Sequence, residues 1–192
     1  MPLNAIYLGV FWLFYYAIHS ALASDRVKLL FAQRMPGIYN WYRLFFSLFA
    51  GINFALLLWF HAIAPSEPLF RGSLILQISG LLVGIAALFV FISALRQYEL
   101  RFWFRPSEHS ESVLVTTGLN AVVRHPLYFA IILGLIALIL IFPNWKNLIF
   151  AIVTTLYIII GALLEEKKLI SKFGAAYIAY RKRVKMLIPY II

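Results

Sequence analysis

The sequence predicts an all-α, polytopic membrane helical bundle with about five transmembrane helices, a C-terminal helical hairpin and an amphipathic tail helix. Three observations carry that expectation. Of the 192 residues 64% are hydrophobic and 12% charged, with a mean hydropathy of +0.90, against roughly 45–50% apolar and about 25% charged in an average soluble domain. A soluble core of this size cannot hide so much apolar surface. The apolar residues gather into five runs, each near the ~20 residues that a helix needs to cross the hydrocarbon layer. Lys and Arg, finally, are sorted between alternate connections.

The first run, 3–23, ends in Ala21-Leu22-Ala23, which resembles a secretory cleavage site. Met1-Pro2-Leu3-Asn4 lacks the basic residue of a signal peptide, and the run is long for one, so it reads as the first span. The second and third spans are 41–63 and 73–95. The fourth, 126–142, is the shortest, and Pro143-Asn144-Trp145 separates it from the fifth, 146–164. So short a connection permits only a tight antiparallel helical hairpin. The stretch 96–124 is too polar to span and too long for a simple turn, and reads as a functional loop or lid. In the tail Leu169, Phe173, Tyr177, Tyr180, Val184 and Leu187 recur at steps of three or four while Lys168, Lys172 and Lys182 fall elsewhere, the pattern of an amphipathic helix on the cytoplasmic leaflet. Gly174 bends or breaks it. There is no internal repeat, and the length suits one membrane domain.

Arg26, Lys28, Arg34 and Arg43 lie in the first connection and Arg96, Arg101, Arg105 and Arg124 in the third. Lys167, Lys168, Lys172, Arg181, Lys182, Arg183 and Lys185 lie in the tail, so that only Arg71 and Lys146 of the 17 basic residues fall on the opposite side. An odd number of spans produces this alternation. The positive-inside rule then places the N-terminus outside and the C-terminus in the cytoplasm.

The net charge of +10 fits an anionic membrane surface. Nucleic acid would need a basic face on a soluble module with stacking aromatics, and here the aromatics lie inside apolar runs. Cys 0 excludes disulfides, thiolate metal sites and a cysteine nucleophile. His19, His61, His109 and His125 form no ligand-like pair, so no metal site is expected. Polar residues inside the spans are His19, Ser20, Asn53, Gln77, Ser79, Ser93, Thr154 and Thr155. The first three spans carry no acid or base away from their ends, which argues against a pump, a channel or an ion-coupled transporter. His19-Ser20 reads as a helix–helix hydrogen bond.

The densest polar cluster is Arg124-His125-Pro126-Leu127-Tyr128. Pro126 suits the first turn of a helix, which sets Arg124 and His125 at a helix entrance on the cytoplasmic side. Two readings stand side by side: an anion site made by free N–H groups and the Arg124 charge, or a positive-inside anchor before a proline start. At the far end of the hairpin Glu165-Glu166 follows an apolar run at the same membrane face. These acids either bond Lys168 or Lys172 one turn along, or hold a cationic or hydroxyl-bearing ligand against the Arg124 cluster. Together, a helix start that suits an anion and a carboxylate pair at one face form a site for a polar, zwitterionic cofactor, open sideways to lipid.

Leu114-Val115-Thr116-Thr117-Gly118, Arg124-His125-Pro126-Leu127-Tyr128, Glu165-Glu166, Phe173-Gly174, Tyr177, Tyr180, Val184 and Pro189 resemble, in that order, the C-terminal signature of the isoprenylcysteine carboxyl methyltransferase and phospholipid methyltransferase superfamily. The resemblance covers roughly residues 112–192. More weakly, the segment 16–28 is similar to the start of the nurim and NnrU-like branch, which includes methanethiol S-methyltransferases. The resemblance implies S-adenosylmethionine at the cytoplasmic ends of the last helices. Leu114, Val115 and Asn120 would line the adenosine, with Asn120 where the isoprenylcysteine enzymes have Tyr. His125, Pro126, Leu127 and Tyr128 would wrap the amino-acid and sulfonium part, and Glu165 would bind polar groups of the cofactor. Arg124, His125, Tyr128 and Glu166 are the residues it implies for the transfer step. The methyl acceptor would be a lipid amine, a small thiol or another apolar molecule, held by a three-span scaffold over 1–95, while 96–192 forms the cofactor part. One position departs: isoprenylcysteine enzymes carry an Arg one turn before the first Glu, and this chain has Gly161. That argues against carboxyl methylation of a prenylated protein. Two other likenesses stand beside this one. Lys172-Phe173-Gly174-Ala175-Ala176-Tyr177 and Ile188-Pro189-Tyr190-Ile191 also resemble NADPH-dependent sterol reductases, and a nurim-like protein would be non-enzymatic. The membrane would be the inner membrane of a prokaryote, or the endoplasmic reticulum or nuclear envelope of a eukaryote.

Overall fold

The computed structural model describes residues 3–97 and 114–191. Within these the chain is helical: α1 (Leu3–Ala23), α2 (Asp25–Arg34), α3 (Pro36–Ile63), α4 (Leu74–Gln97), a 3-10 turn (Gly118–Ala121), α5 (Pro126–Ile141), α6 (Trp145–Phe173) and α7 (Ala175–Arg183). Four of them, α1, α3, α4 and α6, are long and apolar enough to cross a membrane. The fifth expected span, α5, has 16 residues, about 24 Å of helix against a hydrocarbon core of roughly 30 Å. The expected lid lies in part on 98–113, with Arg101 and Arg105, outside the described residues.

Three boundaries differ from the sequence expectation, each for a local reason. The first connection holds a helix, α2, started by Ser24, whose Oγ accepts from the Val27 N–H at 3.4 Å. Pro36 opens α3 five residues before the expected apolar start, because proline at the first helical position sacrifices no hydrogen bond. The last long helix does not stop at Leu164 but carries its Glu and Lys residues on to Phe173, where Gly174 at φ +54° ends it. Few residues other than glycine adopt that left-handed conformation readily.

The chain divides into two compact units, Met1–Leu69 with Asn144–Thr154, and Phe70–Pro143 with Thr155–Ile192. In the first, Trp12 is fully buried on α1 and lies 4.4 Å, ring to ring, from Phe150. Its indole N–H donates to His61 Nδ1 at 3.3 Å, which leaves the proton of that imidazole on Nε2, facing Asn147 Oδ1 at 3.0 Å. Tyr16 and Thr154 share a hydroxyl hydrogen bond of 2.8 Å. Lys146 caps the C-terminus of α3, donating to the carbonyls of His61, Ala62 and Ala64 at 2.8, 3.0 and 2.7 Å. The basic residue read as an outlier of the charge sorting thus neutralises a helix end.

The second unit is built inside-out relative to a soluble protein. On α4 Gly80, Ala87 and Ala94 are buried while Leu82, Ile85, Leu88 and Phe89 face outward, Phe89 with 70% of its surface exposed. Small residues let helix backbones approach where lipid supplies no hydrophobic drive. A Cβ on Gly80 would lie 2.7 Å from Ile141 and 2.9 Å from Leu140, so α4 and α5 touch there at nearly backbone distance. The later part of α6 returns beside the start of α5: Ile158 and Ala162 pack with Tyr128, Ile131 and Ile132, and Leu187 of the tail closes the cluster.

Candidate active site

The site is assembled where the start of α5, the end of the apolar part of α6 and the tail meet. Ahead of it the strap 114–117 is pinned by Gln97 at the end of α4, whose Nε2 donates to Thr117 O at 2.7 Å. Gly118, at φ +61°, turns the chain into the 3-10 turn, and a side chain there would press on Gln97. Asn120 is consequently buried. Its Nδ2 donates to Arg124 O at 3.1 Å, and its own carbonyl accepts from Tyr180 Oη at 2.5 Å.

Backbone pairing then holds the motif. Arg124 N donates to Lys185 O at 2.8 Å and His125 N to Met186 O at 3.1 Å, so the tail runs alongside residues 123–125. His125 is the residue before α5, and Pro126 is buried in its first turn, as the sequence suggested.

Glu166 is the centre of the cluster. Its Oε1 accepts from Arg124 Nε at 2.6 Å and from Nη2 at 2.5 Å, and from Tyr177 Oη at 3.3 Å; its Oε2 accepts from Arg181 Nε at 3.1 Å. Arg124 Nη1 donates to the carbonyls of Val184 and Arg181. The arginine side chain is 7% exposed and its guanidinium is engaged on all three nitrogens. The structure therefore gives Arg124 a protein carboxylate rather than an open anion site, and gives Glu166 two arginine partners. The tail stripe also points inward: Tyr177, Tyr180 and Leu187 are buried in protein instead of lying on a leaflet.

His125 sits between two acids, Nδ1 at 3.6 Å from Glu165 Oε2 and Nε2 at 3.5 Å from Glu166 Oε1, and stacks on Tyr128 at 5.5 Å. Burial lowers its pKa below the ordinary 6.5; the two carboxylates oppose that shift, and Arg124 adds to it. A neutral ring has one N–H for two carboxylates, so one nitrogen faces an acceptor with no proton between them. Tyr177 is pushed the other way, up from 10, by burial and then by the Glu166 charge, and stays neutral. Because the unfolded histidine takes a proton first, the His125 contribution to stability is present above pH ~6.5 and declines as the pH falls from there toward the folded pKa. We expect the melting temperature to drop below that pH in the native protein and to drop less in His125→Asn, measured by thermal scans from pH 5 to 8.

Three groups around this pair remain open. Asn120 Oδ1 and His125 Nε2 are buried without a hydrogen-bond partner, and the Glu165 carboxylate is 47% exposed. Tyr128 lies beside them, its hydroxyl 3.9 Å from where a Cβ on Gly161 would be. Leu127 is half-buried; upstream in the strap, Leu114 is half-buried and Val115 exposed. In the sequence Tyr177 and Tyr180 stand on the tail stripe with no role of their own, and Arg181 looks like any other basic residue of the tail. Their three- and four-residue spacing from one another was the available signal.

The segment 75–176, from α4 to the start of α7, matches the model of the phospholipid methyltransferase family. The chain belongs to that family. It is 31% identical over 201 residues to the methanethiol S-methyltransferase of Crocosphaera subtropica, covering 96% of this chain and 72% of that protein. It is 29% identical over 185 residues to methanethiol S-methyltransferase 1 of Bradyrhizobium diazoefficiens, 90% of this chain and 62% of that protein. A third similarity, 38% over 87 residues, is to the methanethiol S-methyltransferase of Pseudomonas deceptionensis and covers 44% of this chain and 32% of the relative. The chain thus spans between about a third and three quarters of the length of these relatives. No solved structure matches it significantly. The phospholipid methyltransferase match contains Asn120, the Arg124–Tyr128 motif, Gly161 and both glutamates, the residues just described, and the chain is an integral membrane protein by its helices and its family.

Proposed function

We propose that the protein is an S-adenosylmethionine-dependent membrane methyltransferase whose acceptor is a small apolar thiol. The observation that carries the cofactor reading is the chemistry of the open groups. Asn120 Oδ1 and the Glu165 carboxylate are acceptors, and the His125 ring lacks one donor. They call for a ligand rich in N–H and O–H groups and positive in charge, and an ammonium with ribose hydroxyls meets that description. S-adenosylmethionine supplies an electrophilic methyl on a sulfonium. Glu165 would hold its polar donors, Asn120 would meet the adenosine side, Pro126, Leu127 and Tyr128 would wrap the sulfonium end, and Leu114 and Val115 would complete the adenosine wall. Arg124 and Glu166 hold these groups in place rather than touching the acceptor. The acceptor thiol would lose its proton to water and, as thiolate, take the methyl while the methyl–sulfonium bond breaks and S-adenosylhomocysteine leaves, a step that depends mostly on alignment and exclusion of water.

The names of the relatives support a thiol acceptor, and Gly161 supports a site without a fixed cation for a substrate carboxylate. A lipid amine is the second acceptor class consistent with the family. The sorting of Lys and Arg supports a cytoplasmic C-terminus, which puts the cofactor site on the side where S-adenosylmethionine is made, beside anionic lipids. The test is calorimetry on the purified full chain in detergent, followed by transfer of a labelled methyl group to methanethiol and to amine lipids. Binding at micromolar to sub-millimolar cofactor with volatile labelled product supports the proposal. A folded sample that binds no S-adenosylmethionine but is protected against heat by NADPH refutes it in favour of a reductase.

A further inference from the structure

Beside the Arg124–Glu166 pair is a concavity of about 530 Å³. Its lining includes neither Asn120, His125 nor Glu165, so it is separate from the groups assigned to the methyl donor. Arg124 and Glu166 form its floor and Arg181, Lys182 and Lys185 its rim. Glu166, the acid in this lining, is already bonded by two arginines. Lys182 and Lys185 are exposed, and among the described residues neither ammonium has a carboxylate partner. Among the described residues the pocket lining is therefore strongly positive, with the charge of its two lysines unanswered. Its remaining wall is apolar: Leu163 and Ile178, each close to half exposed, with Met186.

We propose that this concavity binds the phosphate headgroup of an anionic phospholipid, as a bound lipid and not as the methyl acceptor. The lining selects among anions. A nucleotide would want an aromatic or guanidinium face for its base; the lining holds no aromatic ring, and both of its guanidiniums are bonded to Glu166. A free phosphate gains nothing from Leu163, Ile178 and Met186. A zwitterionic headgroup would bring its own ammonium against Lys182 and Lys185. A phosphodiester with an uncharged head meets the cations with its phosphate, while the start of its acyl chain covers the apolar wall where the helix enters the hydrocarbon. Bound there, the lipid would tie the tail to α6 across the salt bridge that supports the site.

The experiment uses the full chain in mixed micelles, with retained lipid read by native mass spectrometry after addition of phosphatidylglycerol or phosphatidylcholine. Lys182→Gln with Lys185→Gln is compared with Lys167→Gln with Lys172→Gln, which removes the same charge from α6 outside the pocket. Phosphatidylglycerol is expected to be retained over phosphatidylcholine, and the pocket pair to weaken retention by about fivefold for each lysine, with the outer pair close to wild type. Equal losses in the two pairs would mean diffuse attraction and overturn the site. So would equal retention of the two lipids, or full displacement by inorganic phosphate at millimolar concentration, which would make it a site for a free anion. Because the readout is lipid retention, these outcomes are independent of whether S-adenosylmethionine binds.

Discussion

Glu166→Ala is expected to lower the stability of the protein by about 3–5 kcal/mol, the cost of leaving a buried ion without its partner. Arg124 would then keep its guanidinium 7% exposed with two nitrogens facing a void, and Arg181 and Tyr177 would each lose an acceptor. Thermal unfolding in detergent should shift down by on the order of 10 °C, and methyl transfer should fall with the folded fraction. Arg124→Ala should match it, since the same pair is broken from the other end. The discriminating variant removes both charges together. Arg124→Met with Glu166→Leu leaves no uncompensated buried ion, since Arg181 is 42% exposed and can turn to water, and should be more stable than either single change. A double variant that melts below both singles would mean that the two residues act through separate partners and that the pair is not the centre of the cluster.

That network marks the limit of what was legible in the sequence. Membrane spans are legible because every backbone polar group in hydrocarbon must be satisfied within its own helix, so length and hydropathy suffice. The runs at 3–23 and 73–95 accordingly reappear within two residues as α1 and α4. Polar ends are less legible. Residues 25–34 and 165–173 are amphipathic or charged, and whether such a stretch continues a helix depends on a cap at Ser24 or a glycine at 174, which a hydropathy run does not register. The grouping of Arg124, His125, Glu165 and Glu166 was legible because the hairpin fixes which ends coincide. Which acid each base would take was not, because Glu165 and Glu166 differ only by 100° around one helix. That rotation turns Glu166 inward to Arg124 and leaves Glu165 half exposed beside His125. Nor could the sequence announce that the strand-like stretch 184–186 would pair with 123–125, since the bonds from Arg124 N to Lys185 O and from His125 N to Met186 O are backbone.

The same 100° yields the second large effect. Glu165→Gln is expected to weaken S-adenosylmethionine binding by roughly tenfold to a hundredfold, the range for a hydrogen bond to a charged group of about 1.5–3 kcal/mol. Its melting temperature should stay within about 2 °C of the native value. The ion-pair distance from Glu165 to His125 Nδ1, 3.6 Å, belongs to a half-exposed carboxylate, and such contacts contribute roughly 0–1 kcal/mol. Calorimetry and thermal scans on one preparation therefore separate two adjacent glutamates by opposite signatures. Glu166 variants lose stability and, with it, everything else; Glu165 variants keep the fold and lose the cofactor. If Glu165→Gln melted as low as Glu166→Gln while binding S-adenosylmethionine normally, the two roles would have to be exchanged. The ligand would then be expected on the Arg181 side of the pair, because Glu166 is the acid that reaches it.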